Sequence, residues 1–183
     1  MAPRTPPPID IRPAAPADAL CLSALAIQVF LDTYATGGVR PAIAREVFGT
    51  YAEPAFARHL DDARTRLLVA ERDGHLVGFA QVTLGATHAL APDGAQAELL
   101  RLYVQEPFTA LGVGTRLLRE AEDLARAAGA TVLWLTPWVH NHRARAFYAR
   151  RGYQDRGRTW FTFEGESHEN RVVARRLGGP VAP

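Results

Sequence analysis

A strand, a glycine-bearing turn, a helix and a second strand follow one another between Ala97 and Thr136, and this succession constrains the fold more than any other part of the chain. Ala97 to Val104 has the composition of a strand. Gly112-Val113-Gly114 then opens a helix in which Val113, Leu117, Leu118, Ala121, Leu124, Ala125 and Ala128 share one face, and Gly129 ends it. Val132 to Thr136 is the second strand. Two strands joined through a helix pack in parallel, so this stretch is a crossover unit of a mixed α/β sheet.

The elements around it complete that sheet. Ile9 to Pro13 reads as a first strand. Asp18 starts a helix with Leu22, Leu25, Ala26, Val29, Phe30 and Thr33 on one face, broken at Gly37-Gly38. Pro41 to Phe48 and Pro54 to Asp62 are short helices with Pro in the first turn. Arg66 to Glu71 and His75 to Leu84 are strands joined by the hairpin signal Asp73-Gly74, and Gly85 to Ala95 is a loop. After the crossover come a helix over Asn141 to Arg151 and strands at Thr159 to Phe163 and Arg171 to Arg175. The 183 residues favour one domain. Met1 to Pro8 reads as a Pro-rich disordered tail. Leu177 to Pro183 has a similar composition; the domain is bounded at residues 9–178, with 179–183 as the tail.

Composition excludes several classes of function. Apolar content of 48% and charged content of 22% are those of an ordinary soluble protein. A net charge of +2 argues against a nucleic-acid partner. All 21 basic residues are arginines, so any basic side chain on a phosphate is an Arg. No apolar run reads as a membrane span and the N-terminus has no signal-peptide core, which makes the cytoplasm the expected compartment. The single cysteine, Cys21, falls in an apolar helical pattern and reads as a buried, inert thiol. Six scattered histidines give no metal-ligand spacing, and no Gly-x-Ser-x-Gly elbow occurs.

What remains is a chemistry of phosphate and acyl groups. A helix start offers unpaired backbone N–H groups and the positive end of a dipole, and Gly112 and Gly114 allow a pyrophosphate to approach them. Plain turn chemistry is the alternative at this point. The glycine spacing fits neither a Walker loop nor a dinucleotide fingerprint. Further on, Asn141 and Tyr148 lie seven residues apart, two helical turns, on one face of the last helix. A phenol there suits protonation of a departing thiolate, or it packs in the core; Asn141 suits a ligand contact or an N-cap.

Together, Leu102-Tyr103-Val104-Gln105-Glu106-Pro107-Phe108 with Gly112-Val113-Gly114, and Asn141 with Ala146-Phe147-Tyr148 and Gly152-Tyr153, resemble the GCN5-related N-acetyltransferase (GNAT) family over roughly residues 9–178. The resemblance implies a single-domain GNAT-like α/β fold, a mixed, mostly antiparallel sheet of about seven strands flanked by helices. It implies acetyl-CoA as co-substrate, no metal, and transfer of the acetyl group to a primary amine by direct attack in a ternary complex. Backbone groups of Leu102, Tyr103 and Val104 are then assigned to the acetyl carbonyl and pantetheine arm. The amides of Thr109, Ala110, Leu111, Gly112, Val113, Gly114 and Thr115 are assigned to the pyrophosphate, and Asn141 to the cofactor near its thioester. Tyr148 is the candidate general acid and Glu98 the candidate base; the plain alternative for Glu98 is a solvated strand-end carboxylate.

Asp32 and Tyr34, at the end of the first long helix, are the candidate acceptor contacts. Phe30-Leu31-Asp32-Thr33-Tyr34 and Leu133-Trp134-Leu135 with Trp138 resemble the bacterial spermidine/spermine N-acetyltransferase branch, which implies a small amine or polyamine as acceptor. A protein or peptide N-terminus, including a ribosomal protein, is the alternative acceptor, and a non-catalytic acetyl-CoA sensor is the alternative of another class. A homodimer is the assembly the family suggests. Thr109 stands where the family usually has Gln or Arg, and Ala110 and Leu111 replace a frequent Gly and basic residue. Fewer side chains then grip the pyrophosphate, with Arg116 as a substitute. Glu164, Glu166 and Glu169, the arginines 143, 145, 150 and 151, and His140 read either as site groups or as solvated surface.

Overall fold

The computed structural model describes residues 8–163 and 165–178. In chain order the elements are β1 (Asp10–Pro13), α1 (Ala19–Tyr34), α2 (Pro41–Thr50), α3 (Glu53–Asp61), β2 (Thr65–Arg72), β3 (His75–Leu84), β4 (Gln96–Val104), α4 (Val113–Ala127), β5 (Val132–Leu135), α5 (His142–Ala149), β6 (Gln154–Phe163) and β7 (Glu166–Arg176). One seven-stranded sheet has the order β1-β2-β3-β4-β5-β7-β6. The β4–β5 pair is parallel, while β1–β2, β5–β7 and β6–β7 are antiparallel. The α/β class and the seven-stranded mixed sheet are as the sequence predicts.

The chain forms two compact units. The first runs to Gln81 and includes Arg101–Glu120; the second comprises Val82–Leu100 and the residues from Ala121 onward.

In the first unit, Leu22, Leu25 and Ala26 recur at helical spacing and bury one stripe of α1 against Val47, Tyr51, Phe56, Val69 and Phe79. The β2–β3 turn is Asp73-Gly74 with φ of 50° and 74°, the left-handed pair that a two-residue hairpin needs and that Gly supplies without strain. Arg12 ties the start of the chain down, with one guanidinium nitrogen 2.7 Å from Asp18 and another 2.7 Å from Glu71. That contact holds the Asp18 carboxyl below the usual carboxylate range.

In the second unit, Val132, Trp134, Ala174 and Ala91 form the buried cluster. Trp134 Nε1 donates to the Ala86 carbonyl at 3.0 Å, which pins the loop between β3 and β4. Glu122 of α4 is buried, yet it is satisfied twice. Tyr153 donates its hydroxyl proton to it at 3.0 Å, and Arg175 of β7 donates to both carboxylate oxygens at 3.0 and 3.1 Å. Burial, first, and then the Glu122 charge push the Tyr153 phenol far above its ordinary value.

Several expectations are corrected here. Strands β6 and β7 are ten and eleven residues long, well beyond the short runs read from composition. Most of β6 is exposed, so no period-two apolar signal marks it; its continuous register with β7 does, interrupted by a bulge between Asp155 and Gly157. Cys21 is exposed, because it falls on the solvent side of α1 next to Leu22 on the buried side. Leu177 does not begin a tail: it is buried and its N–H donates to the Thr131 carbonyl at 2.8 Å. Residues Pro16–Tyr34 are, by length and mean hydropathy of 1.3, long and apolar enough to cross a membrane, contrary to the reading of the sequence. In the fold, the apolar stripe of that segment belongs to the core just described. Residues 1–7 and 179–183, expected to be tails, and Glu164 lie outside the described residues.

Removing Glu122 leaves the Tyr153 hydroxyl buried without its acceptor, while Arg175, 41% exposed, relaxes toward water. Glu122→Ala is therefore expected to lower the unfolding free energy by about 2 kcal/mol, read as a shifted midpoint in urea with unchanged slope.

Candidate active site

The proposed phosphate-binding turn lies in the first unit. After β4 the chain makes a 3-10 segment, Glu106–Leu111, with Pro107 in its first turn. It reaches Gly112 at φ 77°, a left-handed conformation that a side chain would strain, and α4 begins at Val113. Val113 is wholly buried and anchors the turn from below, while Ala110, Leu111 and Gly112 are exposed and Gly114 and Thr115 half-buried. The N–H groups of Thr115 and Arg116 already donate to the Gly112 carbonyl at 3.1 Å. By position, the amides of Val113 and Gly114 precede the first helical hydrogen bond. Two side chains near this turn are engaged elsewhere. The Thr109 hydroxyl donates to the Glu106 carbonyl at 2.9 Å, and Arg116 donates to the Ile9 carbonyl.

Strand β4 enters this turn along a close approach to β3. A Cβ at Gly78 would stand 2.9 Å from the Tyr103 carbonyl oxygen and 3.2 Å from Leu117 and Val104 side-chain atoms, so only glycine fits. The parallel register with β5 covers Gln96–Glu98 alone, against Val132–Trp134, and Leu99–Val104 continue beyond it. Leu102, Tyr103 and Val104 are all half-buried there. Alternation sends Val104 toward Leu117 of α4 and Tyr103 into the cluster of α1, α3 and β3.

The face carrying Tyr103 holds an aromatic row. Tyr34 packs on Phe30 and Phe30 on Tyr51, each with ring centroids 4.9 Å apart; Tyr51 stacks near Tyr103 at 6.4 Å, and their hydroxyls are 3.2 Å apart. Burial raises the Tyr34 phenol to about 12 and holds Tyr103 well above the ordinary value, with Tyr51 adding to both. Tyr34 also lines an open cavity of about 370 Å³ with Gly37, Gly38, Val39, Arg40 and Ile43. Asp32 is exposed on the same helix end. Arg101 stands 5.0 Å over the Tyr51 ring and donates to Gln81 Oε1. Tyr51, Arg101 and Gln81 were not legible as site groups. Tyr51 follows α2 outside any periodic pattern, and the Arg101–Gln81 pair spans two strands.

The remaining candidates lie in the second unit. Glu98 is half-buried and pairs in register with Trp134, so the two side chains share a face. Asn141 caps α5, its Oδ1 accepting from the Ala144 amide at 3.0 Å. Tyr148 is 6% exposed and packs edge-to-face between Phe147 at 5.1 Å and Tyr153 at 5.5 Å. Phe147 is only half-buried, with the Arg151 guanidinium 3.6 Å from its ring centroid. Arg145 donates to the Val139 carbonyl, and His140 is exposed with its ring against Trp138. Glu169 pairs with Arg171 at 3.5 Å, and the Glu166 carboxylate lies 3.8 Å from the His168 ring nitrogen. Among the described residues, no group of three His, Cys, Asp or Glu side chains could hold a metal.

Comparison with known proteins agrees with this architecture. The model of the acetyltransferase (GNAT) family matches residues 37–153. An uncharacterized N-acetyltransferase of Mycobacterium tuberculosis (strain ATCC 25618 / H37Rv) is 31% identical over 141 residues, covering 74% of this chain and 85% of that one. An IAA acetyltransferase of Azospirillum brasilense is 36% identical over 110 residues, covering 57% and 68%. The fold matches the PaiA N-acetyltransferase of Thermoplasma acidophilum, solved in complex with coenzyme A, with a TM-score of 0.75 at 22% identity over 92% of this chain and 99% of that one. The matched stretch runs from the Gly37-Gly38 break through the Gly112 turn to the last residue of the Tyr148–Tyr153 motif, and on that basis the chain belongs to the acetyltransferase (GNAT) family.

Proposed function

We propose that the protein is an acetyl-CoA-dependent N-acetyltransferase that acetylates a small primary amine in the cytoplasm. The observation that carries this reading is the Gly112 turn at the end of β4, with Leu99–Val104 running past the β5 register and α4 starting behind it. A strand edge offers amides and carbonyls to a pantetheine arm, and a helix start offers amides to a pyrophosphate. The coenzyme A held by the PaiA relative of the same fold supports the choice of ligand. Thr109 and Arg116 are turned elsewhere, so backbone supplies the grip and Leu102 to Val104 with Thr109 to Thr115 remain the proposed contacts.

The proposed reaction is a direct displacement. Glu98, through a water, takes the proton of the ammonium group, and the free amine attacks the thioester carbonyl. The C–N bond forms and the C–S bond breaks; Tyr148 supplies the proton that the leaving thiolate takes up, and the proton shed by the acylated nitrogen restores the phenol through water. Asn141 keeps its capping bond while orienting the thioester end. Asp32 and Tyr34 stand at the acceptor end, and the resemblance to the spermidine/spermine branch places polyamines among the amines to test. Homodimerisation through the last strands is proposed as well: Trp160 and Phe161 are 61% and 52% exposed on β6, an edge of the sheet. Light scattering coupled to gel filtration should then give twice the mass of one chain.

Two substitutions test the chemistry. Tyr148→Phe keeps the ring packing and removes the proton; kcat is expected to fall about 10²-fold with a smaller change in the KM for acetyl-CoA. An unchanged kcat removes Tyr148 from the mechanism. Glu98→Gln is expected to slow turnover at neutral pH by about 10²-fold or more, and by much less near pH 10, where a large share of the amine is already neutral. A pH-independent loss assigns Glu98 to structure instead.

A further inference from the structure

Beneath the aromatic row, Arg101 and Gln81 are hydrogen-bonded to each other. Arg has no acceptor atom, so its bond to Gln81 fixes the amide orientation: Oε1 faces the guanidinium and the two Nε2 protons point elsewhere. Gln81 is wholly buried, and no hydrogen-bond acceptor reaches its Nε2. No carboxylate pairs with Arg101 among the described residues. Its partners are a neutral amide and the Tyr51 ring. The hydroxyls of Tyr51 and Tyr103 sit alongside, and Arg101, after burial, depresses the neighbouring His59.

Other arginines of this chain show what is missing. Arg12 holds two carboxylates, Arg171 holds Asp155 and Glu169, and Arg175 holds Glu122. Arg101 is half-buried, where an unmatched charge costs more than at the surface, and it has none of these. A half-buried guanidinium with no carboxylate partner matches a carboxylate or phosphonate. The group lies on the face of β4 that carries Tyr103, at the end of the row that begins at Tyr34.

We infer that Arg101, held in place by Gln81, binds an acid group on the acceptor, so that the acetylated amine is an amino acid or aminophosphonate rather than a simple amine or a polyamine. This rests on the acetyltransferase reading above and specifies its substrate class. Arg101 orients the acceptor through its acid end, leaving the amine at the other end for acetylation.

The test uses chain-matched acceptors: 4-aminobutyrate, 2-aminoethylphosphonate, n-butylamine and putrescine. Calorimetric titration into the full chain saturated with coenzyme A reads binding, and thiol release from acetyl-CoA reads turnover. The acid-bearing amines are expected to bind at least about tenfold tighter than butylamine and putrescine. Arg101→Gln, and separately Gln81→Glu, which supplies Arg101 with a carboxylate of its own, should each reduce that ratio about tenfold. Retained coenzyme A binding is the check on folding for both. Equal binding of acid-bearing and simple amines by the wild type, or an unchanged ratio in both variants, overturns the inference. Selective acid binding without turnover of any acceptor supports it and overturns the catalytic reading alone.

Discussion

Three residues of parallel pairing, Gln96–Glu98 against Val132–Trp134, set the terms for the rest of this fold. Parallel neighbours cannot be joined by a tight turn; the chain must leave one strand, cross over and return to the start of the next. The crossover here is the 3-10 segment and α4, so a helix has to begin near the end of β4. The same constraint that builds the sheet therefore puts a helix N-terminus, with its unpaired amides and positive dipole end, beside an extended strand. Because the register stops at Glu98, β4 also keeps a length of edge beyond it.

Packing defends this geometry at few points. Gly78 lets the β3 backbone lie against the Tyr103 carbonyl, and Val113 seats the first turn of α4 in the core. In the second unit Glu122 joins α4 to β7 through Arg175 and to the end of the α5 motif through Tyr153. A carboxylate in that position costs desolvation, offset by three hydrogen bonds of good length. What it contributes is definition: few other arrangements of those three elements satisfy it.

The elements with a strong local signal were legible in the sequence. Period-3.6 stripes gave α1 and α4, Asp73-Gly74 gave the β2–β3 hairpin, and Gly112 with Gly114 marked the turn. The length of the β6–β7 ribbon is not legible, because a strand exposed over most of its length shows no apolar alternation and is fixed by its partner. Cys21 illustrates the limit of a helical pattern, since one residue of phase moves a side chain from core to solvent. Of the site, the backbone portion was legible because it follows from a turn. The Arg101, Gln81 and Tyr51 group was not, because its members are distant in sequence and each looks ordinary alone.

That difference follows from how the two ligands would be recognised. Contacts made by main-chain amides depend on the conformation of the turn and hardly on its side chains, so Thr109, Ala110 and Leu111 can replace more usual residues without removing a donor. Specificity for an acceptor has no such shared backbone to draw on. It has to come from side chains brought together across strands and helices, where a single Arg without a carboxylate changes which charge is welcome. The first unit of this chain holds both kinds of feature: the backbone turn at Gly112, and the side-chain group of Arg101, Gln81 and Tyr51 proposed to select the acceptor.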